Sequence, residues 1–131
     1  MDKERLLKEK ERKVALIKDY DKSQGVNSFI VNDKPVWIDK ATRVGLINSL
    51  QIEKAANKSE TVLWLNGTPY TVKIDDALKM LTVIELYAIE CYNTTEKHIV
   101  AINSLEDLNR VYNYDYTKGY PKRLSFELND K

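Results

Sequence analysis

The chain has 131 residues, a length that suits one domain able to bury a core without disulfide or metal staples. Apolar residues make up 43% and charged residues 31%, and 21 basic against 20 acidic side chains leave a formal net charge of +1, which argues against a nucleic-acid binder that works by neutralising phosphates. One cysteine excludes an internal disulfide, no apolar run reaches the ~20 residues of a membrane span, and the opening Met-Asp-Lys-Glu-Arg carries no apolar signal segment, so the expectation is a protein made in a reducing cytoplasm.

Asp2 to Tyr20 is a dense run of Lys, Glu and Arg without Gly or Pro, and it reads as a helix. Leu7, Val14 and Ile17 fall on one stripe with Leu6 beside Leu7, and Lys10 interrupts the heptad between Leu7 and Val14. Two readings stand: a solvated helix that leans on the domain by its C-terminal half, or a stalk that self-associates or docks on a partner. Asp21 to Asn27 is polar, contains Gly25 and reads as a linker. The expected division is a charged helix and linker over 1–25, for oligomerisation or docking, and a globular part over 26–131.

Ser28 to Val31 and Pro35 to Ile38 flank Asn32-Asp33-Lys34 and make a first hairpin candidate. Asp39 stands at the N-cap of a helix from Lys40 to about Ala56, whose expected buried face is Ala41, Val44, Ile47, Leu50, Ile52, Ala55 and Ala56. In the second hairpin, Thr61 to Leu65 and Tyr70 to Ile74 flank Asn66-Gly67, both of which tolerate the positive φ of a type I′ turn. Asp75 is the expected cap of a long helix from Asp76 to about Asn103. Ala77, Leu78, Leu81, Ile84, Leu86, Tyr87 (or Ala88), Cys91 and Tyr92 form its stripe, which resumes at Ile99, Val100 and Ile102 after Asn93-Thr94-Thr95.

The two hairpin units resemble each other, since Val31 to Val36 aligns with Leu65 to Tyr70 and Ile38 to Ala41 with Ile74 to Ala77. A true repeat predicts one antiparallel sheet with both helices on one face. Ser104 heads Ser-Leu-Glu-Asp, an N-cap signature for a short helix through about Tyr112. Asn113 to Pro121 is a Tyr-rich turn region, and Leu124 to Leu128 alternates as a last half-buried strand. The fold class is therefore α+β: two β-hairpin–helix units plus a C-terminal strand, with a charged N-terminal helix.

The residues offer little catalytic chemistry. Cys91 and His98 lie two helical turns apart, but two ligands do not make a zinc site, and Cys91 reads as a small buried apolar residue. Asp39, Asp75 and Asp76 precede helices, where capping accounts for them better than paired-carboxylate catalysis. The three sequon matches at Asn57, Asn66 and Asn93 carry no weight without a secretory signal. The reading assigns no catalytic, cofactor-binding or metal-ligating residue. Tyr112, Tyr114, Tyr116 and Tyr120, interleaved with Lys118, Lys122 and Arg123, have three readings: they cover the sheet edge with bonded hydroxyls, anchor a protein interface, or stack on glycan or single-stranded nucleic acid. The candidate partner-binding residues are Leu6, Leu7, Val14, Ile17, Tyr114, Tyr116 and Tyr120.

Several stretches carry a resemblance. They are Val26-Asn27-Ser28-Phe29, Trp37 through Leu46, Glu53-Lys54-Ala55-Ala56, Leu63-Trp64-Leu65, Ile84 through Ala88, Cys91 through Thr95 and Tyr114 through Pro121. Together they make Val26 to Leu128 resemble a domain of unknown function of bacteriophage and prophage proteins, found in or beside tail-fibre and tail-fibre-assembly genes. The charged leading helix resembles the one that enters this domain in similar proteins. The resemblance implies a phage tail or virion component and carries no catalytic residues. The short segment ahead of the domain favours an adaptor or assembly role over direct receptor binding. The expected function is a non-enzymatic structural protein at the tail or tail-fibre attachment region, made in the bacterial host cytoplasm and located in the virion. Its expected partners are other virion or tail proteins and further copies of itself, not nucleic acid or membrane. The alternatives are a tail-fibre assembly chaperone absent from the mature particle, and, from another class, a small enzyme or nucleic-acid-binding regulator.

Overall fold

The computed structural model describes residues 2–129. The fold is α+β. Its elements in order are α1 (Lys3–Asp21), β1 (Phe29–Val31), β2 (Lys34–Val36), α2 (Lys40–Ala55), β3 (Glu60–Leu65), β4 (Thr68–Lys73), α3 (Ile74–Ser104), α4 (Leu108–Asn113) and β5 (Ser125–Phe126). By their internal contacts the residues form two units, Met1–Asn27 with Ala88–Lys122, and Ser28–Tyr87 with Arg123–Lys131. This division runs through α3, and α1 belongs with the C-terminal part of α3.

In the unit containing the strands, Asn32 and Asp33 take φ of 48° and 69°, and Asn66 and Gly67 take 51° and 79°. Each pair makes a two-residue turn of the type that matches strand twist, so β1 meets β2 from Val31↔Lys34 and β3 meets β4 from Leu65↔Thr68. The two hairpins do not join into the one antiparallel sheet that a repeat predicted. β1 instead takes β5 as a parallel neighbour, with Ile30 N–H donating to Leu124 O at 2.9 Å and Asn32 N–H to Phe126 O at 3.0 Å. β3 and β4 stand as a separate two-stranded sheet. Asn32 also holds the C-terminal segment with its side chain, donating to Leu128 O and accepting from Leu128 N–H. The expected strand from Leu124 to Leu128 shortens to Ser125–Phe126, because the bonds beyond Phe126 go to this amide rather than to a ladder.

Helix α2 begins as expected, with Asp39 Oδ1 accepting from Thr42 N–H at 2.8 Å. That bond holds the Asp39 carboxyl below the usual aspartate range. The buried face of α2 keeps Ile47 and Leu50 of the expected one but not Ala41, Val44, Ile52, Ala55 or Ala56. Arg43 and Leu50 are buried and Leu46 and Ile47 are half-buried, while Val44 is 58% and Ile52 62% exposed. Arg43 accounts for the difference. Its Nε donates to Glu85 Oε2 on α3 at 2.7 Å, its Nη1 donates to Ile38 O at 2.7 Å, and its guanidinium lies 5.3 Å from the centre of the Trp37 ring. A buried cation held this way fixes which side of the helix turns inward.

The start of α3 also departs from expectation. Asp75 is not the cap but a first-turn residue, since Ile74 is already helical and its N–H donates to Ser59 O at 2.9 Å. Asp75 pairs with Lys54 at 2.9 Å, a bond that holds its carboxyl below the usual aspartate pKa range. Ile74, Ala77, Met80, Leu81 and Ile84 face the strand core with Phe29, Leu63, Leu65 and Tyr70. Leu86 and Tyr92, expected on the buried stripe, are 59% and 62% exposed, because a 3.6-residue period carries Ile84 to Tyr87 and Cys91 instead. Asn93-Thr94-Thr95 does not break the helix; Thr94 Oγ1 donates back to Glu90 O at 2.8 Å. Ser104 is not an N-cap: it ends α3 with its Oγ donating to Val100 O, and Asp107 caps α4 by accepting from Asn109 N–H.

At Gly67 an added Cβ meets nothing within 4 Å, so any cost of a side chain there is conformational and not steric. Gly67→Val should lower the free energy of unfolding by about 1–2 kcal/mol through its resistance to positive φ. Chemical denaturation checks this, and an unchanged midpoint would show that the turn does not need that geometry.

Candidate functional site

The residues singled out for partner contact all lie in the unit that pairs α1 with the C-terminal part of α3. Asp2 caps α1 by accepting from Glu4 N–H, and the inward line of the helix is Leu6, Lys10, Lys13 and Ile17, a spacing of four, three and four residues. Lys10, expected to interrupt the stripe, is part of it. Its stem lies along the line and its Nζ donates to Asn103 O near the C-terminal end of α3 at 3.0 Å, where a cation suits the exposed carbonyls. Lys13 is buried, donates to Tyr114 O at 3.2 Å and sits 5.5 Å from the centre of the Tyr116 ring.

The core beneath this line is Ile17, Ile102 and Val111, all fully buried. Leu6, Val14, Tyr114 and Tyr116 pack on it while keeping part of their surface. Ile17 is thus taken up internally and has no surface to offer a partner. Leu7 turns away from the line and is 57% exposed. Leu6 and Leu7, with Lys3, Lys10 and Glu106, line an open groove at the head of α1.

The Tyr-rich segment does not cover a sheet edge; it closes over α1 and α3. Tyr20 meets both Tyr116 and Tyr120 edge-on, with ring centres 5.8 and 5.5 Å apart. Thr95 Oγ1 donates to Asp21 Oδ1 at 2.8 Å, so its oxygen accepts from the Tyr120 hydroxyl at 2.6 Å. Three residues far apart in sequence form one short relay ending on a carboxylate. His98 joins the segment at both ring nitrogens. Nε2 must donate to Lys118 O at 2.7 Å, since a carbonyl only accepts, and in the neutral ring Nδ1 then accepts from the Tyr114 hydroxyl at 2.6 Å. Burial pushes the Tyr114 and Tyr120 hydroxyls above the usual phenol range.

His98 therefore acts as a tie between α3 and the 114–118 segment, and Cys91 is 3% exposed, the small buried apolar residue that the sequence led one to expect. Among the described residues no group of three or more His, Cys, Asp and Glu side chains could hold a metal ion, and no helix is long and apolar enough to cross a membrane. The residues that sequence reasoning passed over are Tyr20, Asp21, Lys13 and Thr95. Their only local signal was that Lys13 and Ile17 share a face with Leu6. Trp64 was passed over too: it is 68% exposed on the face of β3 opposite the buried Leu63 and Leu65.

No protein-family model, curated protein or solved structure matches the chain.

The lowered acidity of the Tyr114 and Tyr120 hydroxyls sets a pH dependence. Above the ordinary tyrosine range, near about pH 10, the unfolded chain releases protons that the folded chain keeps. Their contribution is fully present below that value and is lost as pH rises through the folded-state values. Unfolding midpoints measured across the alkaline range should fall, and Tyr114→Phe with Tyr120→Phe should flatten that fall. An equally steep fall in the double variant would remove these hydroxyls from the account.

Proposed function

We propose that this chain is a structural protein of a bacteriophage virion, at the tail or tail-fibre attachment region, working by protein–protein contact rather than catalysis. The virion setting draws on the resemblance of Val26 to Leu128 to the tail-associated phage domain. The observation that carries the contact role is the head of α1, where Leu7 is 57% exposed beside the half-buried Leu6 in an open groove. A large apolar side chain at a groove rimmed by Lys3, Lys10 and Glu106 suits a protein surface that brings its own apolar anchor and mixed charges. Tyr114, Tyr116 and Tyr120 pack further along α1, beside Lys13 and Tyr20, and their remaining exposed surface offers a second contact. The partners are other tail proteins or further copies of this chain.

The alternative is an assembly chaperone absent from the mature particle, which draws on the same resemblance because that domain also occurs among tail-fibre-assembly genes. Mass spectrometry of purified particles separates the two. Stoichiometric copies are expected for a structural protein, and none for a chaperone. Leu7→Lys should leave the unfolding midpoint unchanged and abolish incorporation. Normal incorporation of Leu7→Lys would remove the head of α1 from the contact.

A further inference from the structure

The β3–β4 sheet has only two strands, so each is an edge. Leu65 and Thr68 flank a two-residue turn and exchange both ladder bonds, and the pattern alternates from there. Thr61, Leu63 and Leu65 therefore spend their backbone groups on β4, while Glu60, Val62 and Trp64 turn theirs outward. On the β4 side, Phe126 to Asn129 lines the same groove as Thr71, Val72 and Lys73, so the chain's own C-terminal segment flanks that edge. On the β3 side no described strand pairs.

Soluble proteins protect open edges with Lys, Pro, a bulge or a very short strand. β3 has none of these. It is six residues long, Glu-Thr-Val-Leu-Trp-Leu, paired with β4 in unbroken register, and its single charge is at one end. Its outer face presents Val62 at 48% and Trp64 at 68% exposure. Pro69, opposite Trp64, lies on β4, where its missing N–H protects the other edge.

We infer that the open edge of β3 is a self-association surface, on which two copies pair β3 to β3, antiparallel, about a two-fold axis. The hydrogen-bonding complement of an edge strand is another edge strand, and the two-fold supplies it from the same residues. With the axis at Leu63, Val62 of one copy faces Trp64 of the other, and the reverse, so two aromatic to β-branched pairs form on the exposed face. The two Glu60 carboxylates then fall at opposite ends of the joint, roughly 20 Å apart, and do not oppose each other. Leu63 and Leu65 stay on the inner face, so the pairing leaves each core unchanged. One strand edge and two side chains per copy cover less than the ~800 Å² per partner of a standard interface, so the dimer is a weak one that forms at high concentration. This inference stands on the hairpin alone, whether or not the chain is a virion component.

The test is sedimentation of the full chain across a wide concentration range, with amide hydrogen exchange read residue by residue. The expected result is a monomer–dimer equilibrium in which exchange at Val62 and Trp64 slows as dimer forms. Trp64→Lys should abolish the dimer at an unchanged unfolding midpoint. Val62→Pro removes an outward N–H that β4 does not use and should abolish it too. A monomer at every concentration overturns the inference, as does a dimer that leaves exchange at Val62 and Trp64 unchanged or survives Trp64→Lys. Protection of these amides that appears only when a different protein is added would assign the edge to a foreign strand and overturn it equally.

Discussion

An arginine that is only 4% exposed governs the unit built on the strands. Removing a cation from water costs several kcal/mol unless its donors find acceptors. Arg43 finds them in Glu85 and Ile38 O, with the Trp37 ring beside it, so α2 can settle only where those groups converge. Leu46, Ile47 and Leu50 follow Arg43 inward, and Val44 and Ile52 are left facing solvent. The apolar side chains alone would permit α2 to roll; the ion pair and the carbonyl do not. Glu85 keeps 31% of its side-chain surface, so one partner remains hydrated and the desolvation cost falls mainly on the arginine.

The same solution recurs in the other unit. Lys10 and Lys13 stand on the inward line of α1, and both are satisfied by carbonyl oxygens, on Asn103 and Tyr114. A helix that looks too charged to pack thereby acquires a packed face. His98 and Thr95 do the corresponding work on α3, holding the 114–120 segment by bonds of 2.6 to 2.7 Å. With the polar groups turned inward, apolar side chains such as Leu7 and Tyr112 are left outside, 57% and 62% exposed. That exchange is the physical link between how the chain packs and its proposed role in protein contact.

Features set by neighbours in sequence were legible before the structure. The Asn66-Gly67 turn, the Asp39 cap and the long helix through Thr94-Thr95 all rest on chemistry within a few residues, and the structure has them. The parallel pairing of β1 with β5 was not legible, because it joins residues about ninety-five positions apart through bonds such as Ile30 N–H to Leu124 O. Nor was the inward face of α2, where an apolar count favours Val44 and a distant Glu85 decides for Arg43. Ser104 shows a local signal losing to a local competitor, since its hydroxyl is already bonded to Val100 O. At the candidate site, the tyrosines were visible as a cluster, but their partners Asp21 and Thr95 lie 74 residues apart and carry no motif.

Arg43 and Glu85 act together and not as two separate polar residues. A double-mutant cycle with Arg43→Met and Glu85→Gln, read by chemical denaturation, tests that most directly. A coupling of about 1 kcal/mol or more is the predicted result, with the double variant less destabilised than the sum of the singles. Additivity within about 0.3–0.5 kcal/mol would contradict it and would leave the orientation of α2 to its apolar residues alone.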